Sequence, residues 1–250
     1  MDQACDPHYV ASGVVSSKAE AGLDRLHAWV EQTFPPNPSV RPYLPLGYFS
    51  NLSCLDGLNL GITITTDGVG TKRLVADRME KYDPVGIDHI AMNINDLLCV
   101  GATPTSFVDY LAVETLQPDV LDALGPGPCR SAELARVNIP GGEIAQLEEM
   151  IRGIRDGSGL DLAGTAIGTV PPDRIIIGKD IQPGDTVIGL ASSGIRSNGL
   201  SLARQILLKD AQLTGGVFCK SSGTRLVKNC SNQPIFMCPK LSPCLRQASI

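Results

Sequence analysis

The chain has 250 residues, of which 43% are hydrophobic and 19% charged, and its formal net charge is −5. That length allows one large or two modest domains around a sizeable core, and the acidic balance argues against nucleic acid as a partner. No run approaches the roughly 20 apolar residues of a membrane span, and the start, MDQACDPHYV, carries an early acid and lacks the apolar core of a signal peptide. Cys5, Cys54, Cys99 and Cys129 show neither metal-type nor disulfide-type spacing, so a reducing, cytoplasmic setting is expected.

In chain order, SKAEAGLDRLHAWVEQTF places Leu23, Leu26, Trp29, Val30 and Phe34 near helical spacing. PPNPSVRPYLP, with five prolines in eleven residues, predicts an extended connector. LNLGITITT alternates and is rich in β-branched residues, which predicts a strand running into DGVGTK. Helical patterns follow from about Lys72 and from Pro84 to Val100. TSFVDYLAVE reads as a second strand, Pro118 opens a helix to about Val137, and DLAGTAIGTV is a third strand. IQPGDTVIGLASSG predicts a turn and a buried strand, and NGLSLARQILL a helix. Strands alternating with helices favour a layered α/β or α+β domain.

The chemistry collects in polar, glycine-containing turns. TTDGVGTK ends a predicted strand: its glycines admit close anion approach, Asp67 could hold a divalent cation, and Lys72 could neutralise phosphate charge. Its spacing is not that of a Walker loop. In GIDHIAMNINDLLCVGA, Asp88 and Asn95 share a helix face and Asp96 is offset by about 80°. Acids and amides in so apolar a helix are costly to bury unless they bind something. IPGGEIAQL sets Glu143 after Gly141 and Gly142 in an expected loop, and SSGIRSNG adds Ser193, Arg196 and Asn198 in a turn. Such turns are common and mostly structural when taken singly. Together they have the composition for Mg²⁺ and nucleotide phosphates.

TDGVGTK, GIDHIAMNINDLLCVGATP, FVDYLAVE, PGGEIAQ, DLAGTAIGTV and PGDTVIGLASSGIRSNGLSL, in this order from about Tyr9 to Leu208, resemble the phosphoribosylformylglycinamidine cyclo-ligase (AIR synthase) family. The resemblance implies an α+β fold and an ATP- and Mg²⁺-dependent ring closure that makes aminoimidazole ribonucleotide from formylglycinamidine ribonucleotide, in a homodimer. It also implies catalytic roles for Lys72 and Asp96, and metal-facing acids at Asp67 and Asp96. Gly68, Gly70, Thr71, Asp88, Asn95, Gly141, Gly142 and Glu143 would complete the nucleotide site, with Ser193 and Asn198 on the substrate side. Arg196 stands where the family usually has His, which removes any acid–base role there. Selenophosphate synthetases, thiamine-phosphate kinases and hydrogenase-maturation proteins share the architecture, but their reactive-cysteine or loop signatures are not matched.

The likeness stops near Lys209. From Ala211 to Ile250 there is no Asp or Glu, while Cys219, Cys230, Cys238 and Cys244 crowd together. Codons permitted for Leu226 to Asn232, read one base earlier, give Leu-Gly-Glu-Glu-Leu-Leu-Glu, close to a family segment at this distance. The expected organisation is therefore an ATP-binding domain over 1–172, the first elements of a truncated second domain over 173–213, and an out-of-frame, poorly ordered tail over 214–250. GPGPCRS, with Pro126 and Pro128 where a helix should run, invites the same out-of-frame reading. Two functional expectations stand: an ATP-dependent ligase, inactive in this truncated form, or a non-catalytic remnant that binds nucleotide or dimerises.

Overall fold

The computed structural model describes residues 16–34, 39–190 and 195–210, with the short pieces 218–219 and 224–225. Helix α1 (Ser16–Val30) runs into a 3-10 turn (Glu31–Thr33), and strands β1 (Val40–Pro42), β2 (Asn51–Leu55) and β3 (Gly61–Gly68) follow. A second 3-10 turn (Gly70–Lys72) opens α2 (Arg73–Met79), then α3 (Asp83–Cys99) and β4 (Thr103–Val113). After α4 (Pro118–Leu124) and α5 (Pro126–Ala135) come β5 (Asn138–Gln146), β6 (Leu160–Val170) and a 3-10 turn (Pro172–Arg174). The short α6 (Leu200–Arg204) passes into a π-helical stretch (Gln205–Asp210), and Phe218–Cys219 (β7) pairs with Thr224–Arg225 (β8).

The six main strands form one sheet in the order β1-β2-β3-β6-β4-β5. All neighbours are antiparallel except β4 and β5. A parallel pair needs a crossover, and α4 with α5 supplies it. In β6, buried Leu160, Leu162, Ala166 and Val170 recur at even spacing, as expected of a central strand with one face on the core. The helix that covers this face is α3. Its Ile90, Ile94 and Leu97 have no solvent exposure and pack with Leu52, Phe107, Ala166 and Val170. A second cluster joins Val69, Val85, Leu111, Leu124 and Leu162. The mixed sheet with its helices is the expected α+β architecture.

The loop between β5 and β6 is fastened by two buried acids. Glu114 pairs with Arg152 at 2.8 Å and accepts the Gly153 and Gly159 amides at 3.0 Å each. Arg152 and these amides hold its carboxyl down to about 2. Asp77 pairs with Arg155 at 3.0 Å and accepts from the Ile154 amide, Ser158 Oγ and Tyr82 OH.

The helix expected from Pro118 to about Val137 is present as α4 and α5 with Gly125 between them, and Pro126 and Pro128 fall in the first turn of α5. Two local expectations are corrected. The Gly141–Gly142–Glu143 stretch is strand, because β4 offers it a parallel edge. DTVIGLA forms no strand over 185–190, and Val187 is 95% exposed, since no strand among the described residues lies beside it. β2 was not foreseen. Ser193 and the expected tail, apart from β7 and β8, lie outside the described residues.

Helices α3 and α5 cross at two glycines. A Cβ at Gly127 would collide with the Asp83 carbonyl oxygen and stand 2.9 Å from Gly86 Cα. Because both neighbours are backbone, they cannot rotate away. Gly127→Val should therefore lower stability by about 1–3 kcal/mol, measured as a shift in the urea midpoint with unchanged slope.

Candidate functional site

Along β3, Thr63, Thr65 and Asp67 alternate onto the helix-facing side, the first two buried. Thr65 Oγ1 donates to the Phe49 carbonyl at 3.1 Å and lies 3.5 Å from Asp96 Oδ2 on α3. Burial, and then the like charge of Asp67, push the Asp96 carboxyl up to about 6, with Thr65 opposing. Asp67 Oδ1 accepts the Gly68 amide at 2.7 Å. Asn93, fully buried on α3, donates through Nδ2 to the Asp67 carbonyl at 3.3 Å and to the His89 carbonyl at 3.1 Å. The structure thus brings Asp67 and Asp96 together, with Thr65 and Asn93 fixing the strand end to the helix. Sequence reasoning missed both of these supports; Asn93, one turn before Asp96, was the available signal.

Lys72 and Asp88 form a second pair. Gly70, at φ +62°, makes the turn that aims Lys72 inward. Its Nζ stands 2.6 Å from Asp88 Oδ2, with side-chain exposures of 1% and 0%. Burial pushes the Asp88 carboxyl up, and the pull of Lys72 and Arg196 offsets this only in part. Lys72 Nζ also donates to the Ile195 carbonyl at 3.5 Å, and Thr71 Oγ1 meets Ser201 Oγ at 2.9 Å. The turn holding Asn198, which is exposed, is therefore seated on the Gly70–Lys72 turn. Asn95 is buried. His89 is buried edge-on to Phe107 with ring centroids 5.0 Å apart, and burial lowers its pKa to about 4.

Gly141, Gly142 and Glu143 lie on the edge strand. Register aligns Asp67, Gly164, Asp109 and Gly142 across β3, β6, β4 and β5, all on the helix side. Glu143 pairs with Tyr110 and so faces the other way, with two strands between it and β3. Sequence reasoning also passed over Asp109, whose carboxyl is raised by burial. Among the described residues no three His, Cys, Asp or Glu gather as a metal cluster. The donors at Asp67, Asp96 and Thr65 are hard oxygens with uncompensated negative charge, a set that suits Mg²⁺.

This frame, a mixed sheet whose strand end and covering helix converge acids, coincides with a known domain. Residues 54–170 match the family described as AIR synthase related protein, N-terminal domain. Over those residues the chain is similar to the AIR synthase related family. The curated relatives are phosphoribosylformylglycinamidine cyclo-ligases. That of Methanothermobacter thermautotrophicus is 56% identical over 156 residues, covering 62% of this chain and 44% of the relative. That of Thermococcus kodakarensis is 45% identical over 202 residues, covering 80% and 58%. The chain spans about half the length of the curated relatives it matches. The solved thiamine-monophosphate kinase of Stenotrophomonas maltophilia is alike in fold alone, with TM-score 0.52 and 18% identity over 88% of this chain and 63% of that one.

A carboxyl raised in the folded state favours folding below its unfolded pKa, near 3.9, and that advantage is lost as pH rises through about 6. Asp96→Asn should therefore melt higher than the parent at pH 7.5 in metal-free buffer. The gap should close as pH falls from 6 to 4 in a thermal-melt series.

Proposed function

We propose that residues 1–172 are the nucleotide-handling domain of an ATP-dependent ring-closing ligase, which converts formylglycinamidine ribonucleotide to aminoimidazole ribonucleotide in purine biosynthesis. The observation that carries this reading is the Asp67–Asp96 pair at the end of β3 beside the Gly70–Lys72 turn. The high identity to cyclo-ligases across the same residues supports it. In this reading Asp67 and Asp96 would hold Mg²⁺, whose charge would offset that of the phosphates, and the glycine turn would admit them. The amide oxygen of the substrate takes the terminal phosphoryl group of ATP, releasing ADP, and an internal nitrogen then attacks the same carbon to close the ring as that oxygen leaves with inorganic phosphate. The protein contributes position and charge rather than a covalent nucleophile. Lys72 reaches phosphate only by exchanging its Asp88 partner, so its role is coupled to nucleotide binding.

A second reading, in which the chain binds nucleotide or dimerises without turnover, is favoured by the exposed apolar run Val187, Ile188 and Leu190 at 95%, 81% and 48%. Here 173–213 begins a second domain and 214–250 is out of frame. Isothermal titration with Mg²⁺ and ATP tests the metal site common to both readings. Asp67→Asn and Asp96→Asn should each weaken binding at least ten-fold and remove its Mg²⁺ dependence. Unchanged affinity in both variants would remove these residues from the site. Turnover assays then separate ligase from remnant.

The sheet face turned away from α3 supports a homodimer. Ile64, Val108 and Tyr110 on it are 49%, 36% and 41% exposed, and Thr66 and Thr165 lie between them. Sedimentation velocity should give a dimer that Tyr110→Glu and Ile64→Glu convert to monomer. Variants that sediment like the parent would rule this face out.

A further inference from the structure

A group of arginines beside the candidate site has no part in that reading. Helix α6 docks on α2 through Leu200 and Val75, both buried, with Met79, Ile195 and Ala203 around them. The Thr71–Ser201 contact at 2.9 Å fixes the same junction. Arg204 follows Ala203 and so lies alongside α2, which carries Arg73 and Arg78. Arg73 Nη2 donates to the Arg152 carbonyl at 3.0 Å, while its Nη1 is buried and has no hydrogen-bond partner. The acids on and just after α2 are engaged elsewhere: Asp77 and Glu80 both pair with Arg155. Glu114 is held by Arg152. Burial lowers the pKa of Arg204, and the charges of Arg78 and Arg73 lower it further. Folding has concentrated three cations and left one donor buried and unused, an arrangement that costs stability unless an anion completes it.

We propose that Arg73, Arg78 and Arg204 form a binding site for the phosphate group of a small ligand at the junction of α2 and α6. A guanidinium presents a planar fork that matches two phosphate oxygens, and three such forks suit a dianion better than a carboxylate. The chain's net charge of −5 disfavours a nucleic-acid backbone as the source. The phosphate belongs to a free phosphomonoester or to the end of a nucleotide. The site needs no metal, so it stands whether or not Asp67 and Asp96 bind Mg²⁺.

The test is thermal unfolding of the full chain in metal-free buffer, titrated with inorganic phosphate against chloride at matched ionic strength. Ribose 5-phosphate and ATP serve as separate arms. The parent should show a saturable rise in Tm with phosphate beyond that with chloride. Arg78→Gln and Arg204→Gln should weaken the apparent phosphate affinity at least ten-fold, and should melt above the parent in anion-free buffer because one like charge is gone. Arg204→Lys, which keeps the charge and loses the fork, should fall between. A stronger response to ribose 5-phosphate identifies a phosphomonoester, and a stronger response to ATP identifies a nucleotide. Asp67→Asn should leave phosphate binding unchanged, so failure of the metal site and failure of this one are told apart. A phosphate response equal to that of chloride, or variants within two-fold of the parent, would overturn the proposal.

Discussion

A lysine and an aspartate with almost no solvent contact, 2.6 Å apart, set the arrangement around them. Removing two charges from water costs several kcal/mol per ion, and only close geometry with further hydrogen bonds offsets it. Lys72 therefore has to be aimed inward by the Gly70 turn, and Asp88 has to lie on the buried face of α3. The Ile195–Ser201 segment completes the enclosure through Lys72 and Thr71. Removing one partner would leave an uncompensated buried charge, a loss of about 3–5 kcal/mol. The strand-end turn, the central helix and the segment after residue 194 are thus one electrostatic unit.

The sheet divides its labour between two faces. On the helix side, apolar residues of α3 fill the core, and three of its polar residues meet a partner: Asp88 at Lys72, Asn93 at the Asp67 carbonyl, Asp96 at Thr65. The other face carries threonines and scattered large apolar groups. Placing Glu143 on that second face, at the far edge, follows from the period of two along β5.

Strong local patterns were legible in the sequence. The alternation in LNLGITITT and DLAGTAIGTV gave β3 and β6, and the long apolar run with polar insertions gave α3. The pairing of Asp67 on β3 with Asp96 on α3 was expected from the family resemblance and not from any spacing in the sequence. β2 was not, since NLSCL is short and follows a proline-rich stretch that masks its edges. β5 was hidden by Gly141 and Gly142, which read as a loop until a neighbouring strand edge is present to hold them. The helix over α4 and α5 was legible too, and Pro126 and Pro128 sit in it because both fall in the first turn of α5. Asp109 matters only through register between distant segments, which a single sequence does not carry, while Asn93 left the weaker signal of a polar residue one turn before Asp96.

The order of strands in the sheet differs from their order in the chain, and this governs how the protein can be made. β6 lies between β3 and β4, yet it follows both by 92 and 47 residues, counted from Gly68 to Leu160 and from Val113 to Leu160. During synthesis, β3 leaves the ribosome with β2 on one edge only, and β4 can pair at first only with β5. Two half-sheets with bare hydrogen-bonding edges must therefore wait until residues 160–170 arrive to join them. Such long-range closure is slow, and open edges are templates for pairing with other chains. Chains halted before residue 160 are thus the species most exposed to misassembly, and the whole domain commits to its fold in the few residues of its last main strand.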